Sequence, residues 1–382
     1  MGIEDSSSGG GHCHVIAGGD DVVSCAASSS SSPSSSSPIV NQTLALLQSD
    51  DPNLRLQAAR EIRRLTKTSQ RYRRHFSGSV EPLVEMLGFG SADANEAALA
   101  ALLNLAVKDE TNKINIIQSG ALKPIIAFLQ SENATLQEHA VAALITLSAS
   151  PVNKPIISAS NAIPHLVNIL KSASSQAKLD AVLALYNLST HRENIALILK
   201  TYPIPPLVNL LKSCKKSSRA AEKCTALIES LVAFDEGRTV ITSVEGGILA
   251  VVEVLEGGSL QSREHAVGAL LTMCQSDREK YREPILGEGV VPGLLELTVQ
   301  GTAKAQSKAR TLLRLLRESP YPRPEAQPDT LENIVCDIMS RIDDDGEDQT
   351  GKAKRMLSEM VQVSMEQSLR HLQERASGLY TG

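Results

Sequence analysis

The sequence predicts an all-α solenoid, on three observations: a recurring apolar pair, a second apolar ladder in step with it, and helical spacing inside each unit. The pairs are Leu83-Val84, Ile125-Ile126, Leu166-Val167, Leu207-Val208, Val251-Val252 and Leu294-Leu295, at steps of 42, 41, 41, 44 and 43 residues. The second ladder is Leu65, Leu105, Leu147, Leu188, Leu231, Met273 and Leu315. Within a unit, Ala98, Ala101, Leu102 and Leu105 fall at i, i+3, i+4 and i+7, and Ala140, Ala143, Leu144 and Leu147 repeat this one unit on. That spacing puts them on one helix face. Small alanines there let neighbouring helices approach closely.

Residues 1–40 are dominated by Gly, Ser and Asp, ending in the serine runs around Pro33 and Pro38. They bury too little apolar surface to offset ordering entropy and read as a disordered tail. Repeats fill 41–320. Their joints carry Gly78, Gly120, Asn161, Gly246 and Gly289, residues tolerant of a left-handed backbone, often followed by a proline such as Pro164, Pro205 or Pro292 near the next helix start. Pro320, Pro322, Pro324 and Pro328 mark a stiff linker at 321–330. In 331–382, Leu357, Val361, Met365, Leu369 and Leu372 form a helical stripe suited to capping the apolar end of the last repeat.

Composition narrows function. A net charge of -5 gives no global reason to bind nucleic acid or an anionic membrane. Six scattered cysteines without a CxxC pair argue against a zinc framework and a disulfide scaffold. With no long apolar run and no leader-like start, a cytoplasmic or nuclear protein is expected.

A period of roughly 40 to 47 residues with two or three helices per unit is the pattern of armadillo and HEAT arrays. Gly78-Ser79-Val80-Glu81-Pro82-Leu83-Val84, Asn161-Ala162-Ile163-Pro164-His165-Leu166-Val167 and Ala101-Leu102-Leu103-Asn104-Leu105-Ala106 resemble the armadillo helices G-A-I-P-x-L-V and A-L-x-N-L. The resemblance implies a right-handed solenoid of about six to seven armadillo repeats, its groove lined by each unit's third helix. It also implies that the Asn of A-L-x-N-L can clamp an extended partner's backbone. The equivalent positions here are Arg64, Asn104, Thr146, Asn187, Ser230, Thr272 and Arg314, so only two keep the amide. Import receptors of this family stack basic peptides on groove tryptophans. This chain has no Trp, which speaks against that role. Arg64 and Arg314, near opposite ends, read either as solvated helix residues or as contacts for an acidic or phosphorylated protein segment.

More narrowly, Glu61-Ile62-Arg63-Arg64-Leu65-Thr66-Lys67, with Glu229-Ser230-Leu231 and Glu236-Gly237-Arg238, resembles the repeat domain of plant U-box/armadillo ubiquitin ligases. In that family the repeats choose the substrate and a separate U-box recruits the conjugating enzyme. No stretch here resembles the U-box pattern. A non-catalytic scaffold or adaptor is therefore expected, with a ubiquitin-ligase component as the alternative.

Other motifs are read as bland. The basic stretch Arg55, Arg60, Arg63, Arg64, Lys67, Arg71, Arg73 and Arg74 surrounds only Tyr72 and Phe76, and reads as a solvated face rather than a nucleic-acid site. Glu138-His139-Ala140-Val141 and Glu264-His265-Ala266-Val267 are copies of one repeat string, and adjacent helical residues do not share a face, so no Glu-His catalytic pair is expected. Gly346 to Ala353 departs from the phosphate-binding loop at Ala353 and carries Glu347 and Asp348 inside it. His12, Cys13 and His14 lack a fourth metal ligand. Gly2 with Ser6 fits the myristoylation pattern, but one acyl chain binds membrane only marginally. No cofactor is expected.

Overall fold

A computed structural model of the chain describes residues 38–317, apart from positions 90 and 173. The tail up to residue 37, the linker at 321–330, the stretch 331–382, Gly2, His12, Cys13, His14 and the 346–353 loop lie outside the described residues. Among the described residues there are helices and turns and no strand.

The chain opens with a helix pair, α1 (Pro38–Leu47) and α2 (Pro52–Thr66), so the last residues assigned to the tail are helical. Six three-helix units follow. They are α3 (Gln70–His75), α4 (Val80–Phe89) and α5 (Ala92–Ala106); α6 (Glu110–Gln118), α7 (Leu122–Phe128) and α8 (Ala134–Ser148); α9 (Asn153–Ala159), α10 (Ala162–Ser172) and α11 (Ser175–Ser189); α12 (Arg192–Leu199), α13 (Ile204–Ser213) and α14 (Arg219–Leu231); α15 (Asp235–Ser243), α16 (Gly247–Gly257) and α17 (Leu260–Ser276); and α18 (Arg278–Gly287), α19 (Val291–Gln300) and α20 (Ala303–Arg317). Third helices pack in series from α2 to α20, each on the next, and second helices α10, α13, α16 and α19 do the same. This is the all-α armadillo solenoid that the period predicts.

The two ladders form the core. Leu83, Ile125, Leu166, Leu207, Val251 and Leu294 are buried, as are Leu105, Leu147, Leu188, Leu231 and Met273. Leu65 and Leu315, in the first and last third helices, are only partly buried because no described unit covers their outer side. Third helices start on short polar caps that satisfy otherwise orphaned N–H groups: Asp51 accepts from Asn53 at 2.8 Å and Asn133 from Thr135 at 3.0 Å.

Gly120, Asn161, Gly246 and Gly289 take the left-handed backbone that the joints require. Gly78 does not. It sits in a single 3-10 turn, Ser77–Ser79, that replaces the left-handed joint before α4. At the fourth joint Tyr202 adopts φ 53° with its side chain 68% exposed. A tyrosine held there pays about 1–2 kcal/mol that glycine would not, and loses little packing if removed. Tyr202→Gly should therefore raise the thermal midpoint, by an amount worth about 1 kcal/mol.

Candidate protein-binding groove

The seven sequence-predicted positions lie on successive third helices, one per helix from α2 to α20, but the structure already commits most of their polar groups. Asn104 donates from Nδ2 to the Arg63 carbonyl on the preceding third helix at 2.9 Å, and Asn187 donates to the Ile145 carbonyl at 3.0 Å. These amides tie one unit to the one before. Thr146, Ser230 and Thr272 donate their hydroxyls back to the carbonyls of Ala142, Ala226 and Gly268 in their own helices. A regular backbone-clamping ladder is therefore not assembled.

The arginines at the two ends differ. On α2, Arg64 grips Glu61 through two hydrogen bonds of 2.8 and 2.6 Å. The hydrogen bonds from Arg64 hold the Glu61 carboxyl below the usual carboxylate range. Arg60 reaches Asp93 at 3.3 Å and Arg63 reaches Glu96 at 3.9 Å, both on α5. Arg55 reaches Glu85, and Arg73 donates to the Thr66 and Lys67 carbonyls at the end of α2. Five of the eight cations in the basic stretch are thus engaged within the protein, while Lys67, Arg71 and Arg74 are exposed without a partner among the described residues. Arg314 and, one turn earlier, Arg310 are exposed on α20 and make no hydrogen bond or ion pair among the described residues.

Between these ends, the positions one turn before each predicted residue carry Ala100, Ala142, Leu183, Ala226 and Gly268. Four of the five side chains in this strip are small and Leu183 is not, and Ala100, Ala226 and Gly268 are themselves buried. Leu103, Ile145 and Tyr186 are partly buried beside it, with Lys223 lying 5.1 Å over the Tyr186 ring.

Over the last three third helices the protein spans the strip with its own side chains. Glu229 on α14 accepts from His265 Nδ1 on α17 at 2.6 Å and from Lys308 Nζ on α20 at 2.8 Å. α17 packs between α14 and α20, so this ion pair needs side chains that reach across a whole helix. It also needs Gly268 beneath it. A Cβ at Gly268 would sit 1.8 Å from Glu229 Oε1 and 2.6 Å from Lys308 Nζ.

Burial alone would push the Glu229 carboxyl up, but the bonds from His265 and Lys308 outweigh it and hold it below its ordinary value. A depressed carboxylate stabilises the fold above the unfolded-state carboxylate range, and that contribution is lost as pH falls through the folded value. Glu229→Gln should flatten the acid side of the stability profile, measured as thermal midpoint against pH. A variant with an unchanged acid slope would show that this carboxylate is not a source of it.

The Glu-His string forms no catalytic pair. Glu264 accepts from Thr302 at 2.5 Å while His265 turns to Glu229, and Glu138 is exposed. Cys224 and Cys274 are buried, and burial pushes both thiols up, that of Cys274 to about 11. Neither supplies a thiolate nucleophile near neutral pH. Among the described residues no group of three His, Cys, Asp or Glu could hold a metal ion, and no helix is long and apolar enough to cross a membrane.

A second asparagine series was missed in the sequence. Asn112, Asn153 and Asn194, at steps of 41, open the first helices of their units and are buried. Each donates to the end of the preceding third helix: to Leu105 at 3.1 Å, Leu147 at 3.2 Å and Leu188 at 3.0 Å. Asn153 and Asn194 also reach the Lys113 and Lys154 carbonyls one first helix back. The shared period was the available signal, but a polar residue at a regular step does not fit an apolar-ladder search.

The comparisons with known proteins agree with this architecture. The family model for the plant U-box protein ARM repeat region matches residues 97–322, more than half of the chain. U-box domain-containing protein 45 of Arabidopsis thaliana is 33% identical over 100 residues, which is 26% of this chain and 13% of that protein. U-box domain-containing protein 25 of the same plant is 37% identical over 100 residues, covering 26% of this chain and 23% of the relative. The matched stretch thus spans less than a quarter of either relative's length. Two crystal structures of engineered proteins share the fold: one with a TM-score of 0.66 at 23% identity over 74% of this chain and 69% of the other, and one with a TM-score of 0.55 at 22% identity over 63% and 96%. With its repeat period, its ladders and the family match in agreement, the chain belongs to the plant U-box protein ARM repeat family.

Proposed function

We propose that this protein is a non-catalytic scaffold or adaptor that binds an extended protein segment along its third-helix face, with acidic or phosphorylated residues of the partner at the α20 end. The observation that carries the reading is the contrast between the ends: Arg60, Arg63 and Arg64 are paired, whereas Arg310 and Arg314 are exposed without a partner among the described residues. Unpaired guanidinium groups one turn apart suit carboxylate or phosphate recognition.

The measurement is binding of partner segments to wild-type, Arg64→Glu and Arg310→Glu/Arg314→Glu proteins. The double reversal should weaken an acidic ligand about 30-fold or more, as loss of two charge-assisted contacts implies. Arg64→Glu should change it little. Equal affinity in all three proteins would end the acidic-ligand reading.

Family membership favours a second reading, a component of ubiquitin transfer that works with a ligase supplied in trans. Incubation with ubiquitin, activating enzyme and a panel of conjugating enzymes separates the two. Chain formation that depends on this protein alone would overturn the scaffold reading.

A further inference from the structure

Helix α20 carries Lys304, Lys308, Arg310, Arg314 and Arg317 and no acidic residue. Nearby carboxylates are engaged elsewhere: Glu229 takes Lys308, Glu264 takes Thr302, Glu296 takes Arg263 and Glu283 takes Arg282. Arg278 and Arg282 add further positive charge at the same end, where they donate to the Leu315 and Leu316 carbonyls at 2.6 and 2.7 Å. Lys304, Arg310 and Arg314 are exposed and make no ion pair among the described residues.

The chain itself supplies a complementary sequence. Asp343, Asp344, Asp345, Glu347 and Asp348 put five acids into six residues without a cation. The run begins 26 residues after Arg317. Fully extended, that length spans up to about 90 Å, several times the roughly 22 Å of a fifteen-residue helix. Tethering gives such a run an effective concentration in the millimolar range, against which a free acidic ligand must compete.

We infer that the acidic run Asp343–Asp348 docks on the exposed cations of α20, Arg310 and Arg314 with Lys304 toward the start of the helix, and competes there with acidic partner segments. The competition rests on the groove reading proposed above, whereas the docking itself rests on charge complementarity and reach. A partner then binds in full only by displacing the run, which makes the segment a built-in stand-in for the ligand.

Zero-length carbodiimide cross-linking of the full chain tests the docking. The Glu229–Lys308 link serves as an internal control for the folded third-helix face. Expected is an additional link from Lys304 to a carboxylate within 343–348, within one chain, reduced about tenfold in Arg310→Glu/Arg314→Glu protein that still gives the control link. The control link without the Lys304 link in wild type, or a Lys304 link indifferent to the double reversal, overturns the proposal. So do links found only between copies when isotopically light and heavy chains are mixed.

A fluorescent oligoglutamate probe then separates this inference from the groove reading. If the run fills the end nine-tenths of the time, neutralising it by Asp→Asn and Glu→Gln raises probe affinity about tenfold. Equal binding before and after neutralisation overturns the competition. A persistent Lys304 link with no probe binding to either protein supports the docking and sinks the acidic-ligand reading instead.

Discussion

Replacing Asn153 with alanine is expected to destabilise the protein by about 2 kcal/mol, the loss of two hydrogen bonds made by one buried side chain. The side chain is fully buried, and its Nδ2 serves two carbonyls from different helices, Leu147 at 3.2 Å and Lys113 at 2.9 Å. The Leu147 carbonyl, in the last turn of α8, also accepts from the Ser150 N–H at 3.2 Å. Removing the amide therefore loses two hydrogen bonds at about 1 kcal/mol each, while the Leu147 carbonyl keeps its backbone donor and the Lys113 carbonyl stays inside α6. Chemical denaturation monitored by circular dichroism checks this. Asn104→Ala, on a partly exposed residue that gives up one carbonyl contact, should cost about 1 kcal/mol by the same method. Similar losses at both sites would mean that burial does not set the cost.

Gly237→Ala is the second large effect, and two contributions oppose each other. Alanine inside α15 gains about 1 kcal/mol of helix propensity over glycine. Its Cβ, however, would sit 2.1 Å from the Leu231 carbonyl oxygen and 2.6 Å from the carbonyl carbon. These are backbone atoms at the end of α14 and cannot swing aside as a side chain would. Relief requires moving α15 off α14, at about 3 kcal/mol, so the clash wins and the net change is destabilising. Gly287→Ala is the matched control. A Cβ there meets nothing within 4 Å, and it should stabilise by up to about 1 kcal/mol. Thermal midpoints of the two variants moving in opposite directions is the expected result.

The fold was readable because burial is periodic here: Leu105, Leu147, Leu188 and Leu231 share a step and all are buried. The groove was less readable, because its chemistry depends on which side chains find each other across units. Glu61 stands three residues before Arg64, so that pair was open to reading, whereas the reach of Arg60 and Arg63 to Asp93 and Glu96 on another helix was not. Glu229 and Lys308 are two units apart, at a separation no ladder marks, and they meet across α17. One faint signal existed. The two copies of the Glu-His string differ at the next residue of the helix, Ala142 in the first and Gly268 in the second, and that missing methyl makes room for the ion pair. Tyr202, standing where other joints carry glycine or asparagine, carries no local cue for a left-handed backbone.

The most direct test of the third-helix face as the binding surface is a hydrogen-exchange footprint of the full chain, with the 343–348 acids neutralised, in the presence and absence of saturating oligoglutamate. Expected is slowed exchange in α20 and in the third helices beside it, α17 first, with second helices α13, α16 and α19 unchanged. Protection confined to the second helices, or none despite measured binding, would contradict the claim that the third-helix face is where this protein holds its partners.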